Sequence, residues 1–126
     1  MVKPRLGQGA FRVLVTDIYK RPCAVTQERT LPALDAAHIR PYGEGGDHEP
    51  KNGLLLRRDI RSLFDSGYVT VTAGFHFEVS RRIQEEFENG RHYYALHGQE
   101  VFRPDAPGWR PDVSALCWHN EYRFKG

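Results

Sequence analysis

Three short stretches set the terms for this chain: Asp35-Ala-Ala-His38-Ile39, Asn52-Gly-Leu-Leu-Leu56 and Leu63-Phe-Asp65. A histidine closes an apolar, strand-like run, an asparagine follows fourteen residues later, and a carboxylate ends a short helical stretch. Each side chain has a definite chemical use. An imidazole can take a proton from water, an amide can tie a loop to itself, and a carboxylate can hold a divalent cation. Bringing the three together requires a strand, a loop that folds back, and a helix.

The surrounding pattern supplies those elements. Residues 22–26 and 33–39 read as short strands joined by the polar turn Gln27-Glu-Arg-Thr30. The stretch from Arg40 to Lys51 is too polar for a strand and is broken by Gly43, Gly45 and Gly46. Gly45-Gly46 permits positive φ where this loop folds back. Leu54 to Leu56 enters the core and Asp59 to Phe64 forms a short helix, completing a β-β-α unit. Ahead of it, Ala10 to Tyr19 reads as a helix whose buried face is Phe11, Leu14, Val15 and Ile18. Behind it, Tyr68–Thr72 and Phe75–Val79 alternate as a hairpin that turns at Ala73-Gly74. Arg81 to Phe87 looks helical, Asn89-Gly90 stops it, and Tyr93, Tyr94 and Leu96 supply apolar anchors. A proline-rich surface connection leads to Pro111-Asp112, which opens a last helix through Trp118. The expectation is an α+β fold, one domain over residues 1–126, with a β-β-α site, an added β-hairpin and flanking helices.

Composition narrows the class. A chain of 126 residues with 40% hydrophobic content has room for a modest core. A net charge of +2 is too mild to announce a nucleic-acid binder. Fourteen of the eighteen basic residues are Arg, the side chain suited to forked phosphate contacts, although a GC-rich genome produces the same bias. No stretch is apolar enough to span a membrane and the N-terminus lacks a signal-peptide apolar region, so a cytoplasmic protein is expected. Cys23 and Cys117 form no Cys-x-x-Cys pair, which excludes a four-cysteine structural zinc knuckle. Cys23 reads as a small buried apolar residue, and a disulfide is not expected in a reducing compartment.

The Ala-Ala-His-Ile and Asn-Gly-Leu motifs resemble the HNH endonucleases, the ββα-metal nucleases, in the branch found among restriction endonucleases. Arg5-Leu-Gly-Gln-Gly-Ala-Phe-Arg12, Cys23-Ala-Val-Thr26 and Trp118-His-Asn-Glu121 resemble that branch as well. The resemblance implies that His38 is the general base, its other ring nitrogen held by a backbone carbonyl that fixes the tautomer. It implies that Asn52 organises the loop at the site and that Asp65 is a metal ligand. His119 is read as packing and hydrogen bonding, and His48, in the loop, as a weaker candidate for a phosphate contact.

Two positions depart from the family pattern. The first helical ligand position, normally histidine, is Arg61, which stays protonated and cannot ligate a cation. The residue before the base, normally a ligand, is Ala37; strand alternation puts Asp35 on the same face, making it the nearest replacement carboxylate. A cation would then rest on Asp65 and Asp35 with water completing its shell, which favours Mg²⁺, with Mn²⁺ as the alternative. Asp59 reads as a helix N-terminal charge. Arg40, Arg57, Arg58, Arg61 and Lys51 surround the motif as candidate DNA contacts, but Glu44, Asp47, Glu49 and Asp59 nearly cancel them.

The resulting expectation is a metal-dependent DNA endonuclease in which His38 activates water, leaving 5′-phosphate and 3′-hydroxyl ends, in restriction or DNA defence. Two rivals are a non-catalytic DNA-binding domain that kept the fold and a structured-RNA nuclease. A reader of specific or modified DNA is absent from these residues, so a stand-alone enzyme, a homodimer and a separate DNA-reading partner are all open.

Overall fold

The computed structural model describes residues 7–126; Arg5 and Leu6 of the N-terminal motif lie outside the described residues. Helix α1 (Gln8–Ile18) buries Phe11 and Val15, one turn apart, and Ile18 packs at the edge. Leu14 is only half buried, so the apolar face is narrower than its sequence spacing indicates. Strand β1 (Leu34–His38) pairs antiparallel with β2 (Gly53–Arg57), His38 lying opposite Gly53. Helix α2 (Arg58–Ser66) follows directly, burying Ile60 and Phe64. A second small sheet joins β3 (Val69–Val71) to β4 (Phe77–Val79). Short helices α3 (Arg82–Phe87) and α4 (Arg91–Tyr94) lead to α5 (Val113–Trp118), which continues as a π-helical turn over His119–Arg123. This is the expected α+β arrangement.

The hairpin at the site differs from the expected one. Residues 22–26 are a turn, not a strand, and the partner of β1 is β2. Pro22 has no amide to give a ladder, and the chain closes on itself instead: Cys23 N donates to Glu28 O at 2.8 Å and Gln27 N to Cys23 O at 3.0 Å, with Gln27 at φ 65°. The turn touches the sheet at two points: Ala24 N donates to Leu55 O at 2.7 Å, and Cys23 Sγ accepts from Arg57 N at 3.3 Å. Leu54, Leu55 and Leu56 are all buried because β2 is covered on both faces, which explains an unbroken apolar run in place of alternation. Gly53 is required by α1. A Cβ there would stand 2.6 Å from Val15 Cγ2 and 2.8 Å from Phe11 Cζ. Tyr19 is buried under the same helix and donates its hydroxyl to Gly53 O at 3.2 Å. In the second hairpin the turn spans Thr72 to His76, with Phe75 at φ 64°, wider than the two residues expected.

The last helix is capped as its sequence predicts, the Asp112 carboxylate accepting from Ser114 N at 3.1 Å. Its main task is to deliver His119 to the core. The His119 ring stacks on Phe64 at 3.7 Å, its Nε2 donates to Phe64 O at 2.8 Å, and its Nδ1 accepts from the Thr70 hydroxyl at 2.6 Å. The neutral ring satisfies this arrangement with one donor and one acceptor. Burial, together with the charge of Arg123, outweighs the Phe64 carbonyl and pushes the pKa of His119 from its ordinary 6.5 down to about 4.

Because the folded pKa is depressed, the unfolded chain takes up a proton first as pH falls. The contribution of His119 to stability is therefore complete above pH 6.5 and lost progressively down to about pH 4. Urea unfolding between pH 7 and pH 4 should show this loss, and the His119→Gln protein should lose less stability over the same interval. Equal pH dependence in the two proteins would reject the assignment.

Candidate functional site

His38, the last residue of β1, faces a cleft of about 450 Å³ lined also by His48, Arg61, Asp65, His119 and Arg123. Its ring stacks on Phe11 at 4.0 Å and 8° between planes, so α1 fixes the plane of the imidazole. His38 Nε2 lies 2.9 Å from His48 Nδ1. No backbone carbonyl holds either ring nitrogen of His38 among the described residues; that expectation is replaced by the contact to His48. Burial lowers the pKa of His38, and the neighbouring His48 and the guanidinium of Arg61, which disfavour a second positive charge, lower it further against the pull of Asp47. The ring is thus neutral at pH 7, as a proton acceptor must be.

The loop after β1 is held by one side chain. Asn52 is buried; its Oδ1 accepts from Arg40 N at 3.0 Å, and its Nδ2 donates to Arg40 O at 2.9 Å and to Asp47 O at 2.8 Å. The glycine pair has two separate reasons. Gly45 adopts φ 95°, whereas Gly46 has no room for a side chain, since a Cβ would meet Arg40 O at 1.8 Å. Only the first of the two therefore matches the expectation of positive φ. The loop carries Tyr42 and His48, whose rings stack at 4.4 Å and 6°.

Helix α2 presents Arg58, Arg61 and Asp65 on the face opposite Ile60 and Phe64. Asp65 lines the cleft with half of its side chain exposed. Burial of the rest raises its pKa, opposed by Arg61 and Arg123. Arg61 Nε sits 3.1 Å from Asp65 Oδ2, but its N–H is misdirected and makes no hydrogen bond. Arg61 also approaches Asp35, Nη1 to Oδ2 at 3.4 Å.

Asp35 does not join the cleft. Its carboxylate is taken by Arg12 at 2.8 Å, Arg61 at 3.4 Å and Arg58 at 3.8 Å, and it lines a neighbouring cavity with Gln8, Phe11 and Arg12. Three guanidiniums already neutralise it, so the geometry gives no support to its sequence assignment as a metal ligand. Among the candidate DNA contacts, Arg61 lines the cleft and Arg58 lies on the same helical face. Arg57 is instead locked in a two-point ion pair with Asp59 at 2.7 and 2.9 Å, and Asp59 also accepts from the Tyr93 hydroxyl at 2.9 Å. Arg40 and Lys51 line a different, smaller cavity beside Asn52 and Asp112.

From the sequence, His48 is only a weaker candidate and Arg12 only part of an N-terminal motif, and there is no sign of Arg123 at the site. The signal for His48 was present. A loop whose two ends are tied at His38 and Asn52 cannot carry a residue at position 48 far from either. Arg123 had no local signal, because it reaches the cleft from the last turn of the chain, where it pairs with Glu44 and lies over Trp118 at 5.6 Å.

Comparison with known proteins agrees with this geometry. A sequence search of curated proteins gives no match. Among solved structures, the chain is similar to a modification-dependent TagI restriction endonuclease, with 22% identity and a TM-score of 0.62. That similarity covers 92% of this chain and 38% of the other, so the chain spans well under half the length of the protein it resembles. At such identity the likeness speaks for the fold. The family itself comes from sequence: residues 23–72, which hold His38, His48, Asn52, Arg61 and Asp65, match the HNH endonuclease family. Through that segment, and through its fold, the chain is similar to the HNH endonucleases.

Proposed function

We propose that this protein is a metal-dependent DNA endonuclease of the HNH type that hydrolyses phosphodiester bonds with His38 as general base. The observation that carries the reading is the composition of the cleft: a neutral imidazole of lowered basicity, one half-exposed carboxylate, and two guanidiniums, Arg61 and Arg123, along the same wall. A phosphodiester is an anion, and guanidiniums supply directed donors for its oxygens. His38 removes the proton from the attacking water, and Asn52 keeps the surrounding loop in one conformation.

Asp65 fits a divalent cation: it is half exposed, it faces the cleft, and its nearest guanidinium points a donor elsewhere. Among the described residues no group of three His, Cys, Asp or Glu side chains is arranged to hold an ion. An ion on Asp65 would therefore keep most of its water, a state that Mg²⁺ tolerates well. When bound it would supply positive charge to the phosphate at its point of attack. A role in restriction is supported by the similarity to a modification-dependent restriction endonuclease.

Cleavage of supercoiled plasmid in Mg²⁺ or Mn²⁺, beside a structured RNA, tests the reading. His38→Ala should abolish plasmid nicking without unfolding the protein. In the wild type, activity should hold down to pH 6.5 and decline only below it, because the base titrates beneath the ordinary histidine value. Wild-type activity in His38→Ala would place the base elsewhere, and cleavage of RNA alone would reassign the substrate.

The two aspartates should separate cleanly. Asp65→Ala should weaken Mn²⁺ binding measured by calorimetry. Asp35→Ala should leave it unchanged while lowering stability by roughly 1 kcal/mol, since three mutually repelling guanidiniums lose their shared partner in a partly exposed setting. Equal loss of Mn²⁺ affinity in both variants would return Asp35 to the metal.

Arg61 holds a permanent charge 3.1 Å from Asp65, where a cation would also have to sit. Replacing it by His removes that competition and adds a nitrogen donor. Arg61→His should lower the Mn²⁺ concentration for half-maximal cleavage by about tenfold, or ~1.4 kcal/mol. A metal requirement that does not fall would instead make Arg61 a direct phosphate clamp.

A further inference from the structure

The mechanism above uses one histidine of the cleft and leaves a second, His48, without a task. The two rings are held as a pair. His38 is stacked on Phe11 at 4.0 Å from one side, His48 on Tyr42 at 4.4 Å, and the imidazoles meet at 63° with Nε2 and Nδ1 2.9 Å apart. That separation is a hydrogen bond between ring nitrogens, so one of the two must carry the proton.

Which nitrogen carries it follows from the job assigned to His38. With Nε2 engaged by His48, Nδ1 is the His38 nitrogen that has no hydrogen-bond partner among the described residues. A base must present a lone pair, so Nδ1 has to be unprotonated and the ring proton must sit on Nε2. Nε2–H then donates to His48 Nδ1, which in turn must be a bare acceptor with the His48 proton on its own Nε2. The arrangement is self-consistent for two neutral rings, and it has a single sense.

We infer that His48 is the positioning residue that selects the working tautomer of His38, standing where a backbone carbonyl acceptor was expected. The inference rests on His38 being the general base. When Nδ1 takes the proton from water, the new imidazolium keeps its Nε2–H on His48, so the charge is met by an existing acceptor and no second proton moves.

The same geometry gives Asn52 its route to the chemistry. The Asn52 side chain holds Asp47 O at 2.8 Å and both backbone groups of Arg40, so it fixes the residue next to His48 and the first residue beyond β1. Asn52 does not touch His38 through any described hydrogen bond. Its effect on the base passes through the loop that carries His48.

Long-range ¹H–¹⁵N correlation spectra of histidine-labelled protein, without DNA or metal, read the tautomer directly, with the His38 signals identified by their loss in His38→Ala. Wild type should show His38 protonated on Nε2. His48→Phe keeps a ring on Tyr42 but has no acceptor; it should give a mixture of His38 tautomers and slow plasmid cleavage about 10–100-fold, the range seen when a partner orienting a working imidazole is lost. His48→Gln, whose Oε1 can accept, should restore the Nε2–H form and part of the rate. A His38 tautomer unchanged in His48→Phe, or wild type protonated on Nδ1, would overturn the inference. Failure of the underlying reading looks different: His38→Ala would cleave normally while the tautomer still responded to position 48.

Discussion

The site depends on a buried amide. Asn52 is almost fully enclosed, and an unsatisfied amide in that position would cost on the order of 1–3 kcal/mol for each missing partner. Every one of its partners is a backbone group of the loop between β1 and β2: Arg40 N, Arg40 O and Asp47 O. A polar, glycine-broken connection of this length would otherwise sample many conformations. The amide closes it into a single one, and Ile39 N donating to Asn52 O at 2.8 Å joins that closure to the sheet. The steric demand on Gly46 and the placement of Tyr42 and His48 are consequences of the same fold-back.

Charge is arranged around this frame with a deliberate imbalance. Asp35 absorbs Arg12, Arg58 and Arg61, yet one carboxylate cannot neutralise three guanidiniums. Arg123 adds another cation from the C-terminal turn, braced by Glu44 and the Trp118 ring. The wall beside His38 is therefore positive, which suits an anionic substrate, and the charge of Arg61 adds to burial in keeping the imidazole neutral. Both effects would serve the hydrolysis of a phosphodiester proposed for this site. The cost would fall on the proposed cation site, where Arg61 stands beside Asp65, the one carboxylate lining the cleft among the described residues.

His119 shows how a second histidine can be excluded from such chemistry. It lines the same cleft as His38, but its ring nitrogens are both spent, on Phe64 O and the Thr70 hydroxyl. Its role is to join α2, β3 and the last helix. Two histidines that line one cavity thus differ in what they can do, because among the described residues one keeps a ring nitrogen without a hydrogen-bond partner and the other has none.

Much of this was legible in the amino-acid order. Helices α1, α2 and α5 and the second hairpin follow from local periodicity and caps, since the residues that decide them lie within one or two turns of each other. The roles proposed for His38, Asn52 and Asp65 follow from residue type and spacing, and Cys23 was readable as a buried apolar residue. The partner of β1 was not readable. Strand pairing joins residues distant in sequence, and the short run after Pro22 looks extended until its turn is seen to close on itself. The fate of the charges was equally hidden. Nothing local distinguishes Arg57, spent on Asp59, from Arg123, which the fold carries to the cleft, or Asp65, which faces the cleft, from Asp35, which Arg12, Arg58 and Arg61 enclose. Sequence by itself determined the elements and the chemical types at the site. Only the tertiary structure decided which polar groups already have partners, because a hydrogen bond or ion pair depends on two side chains meeting in space.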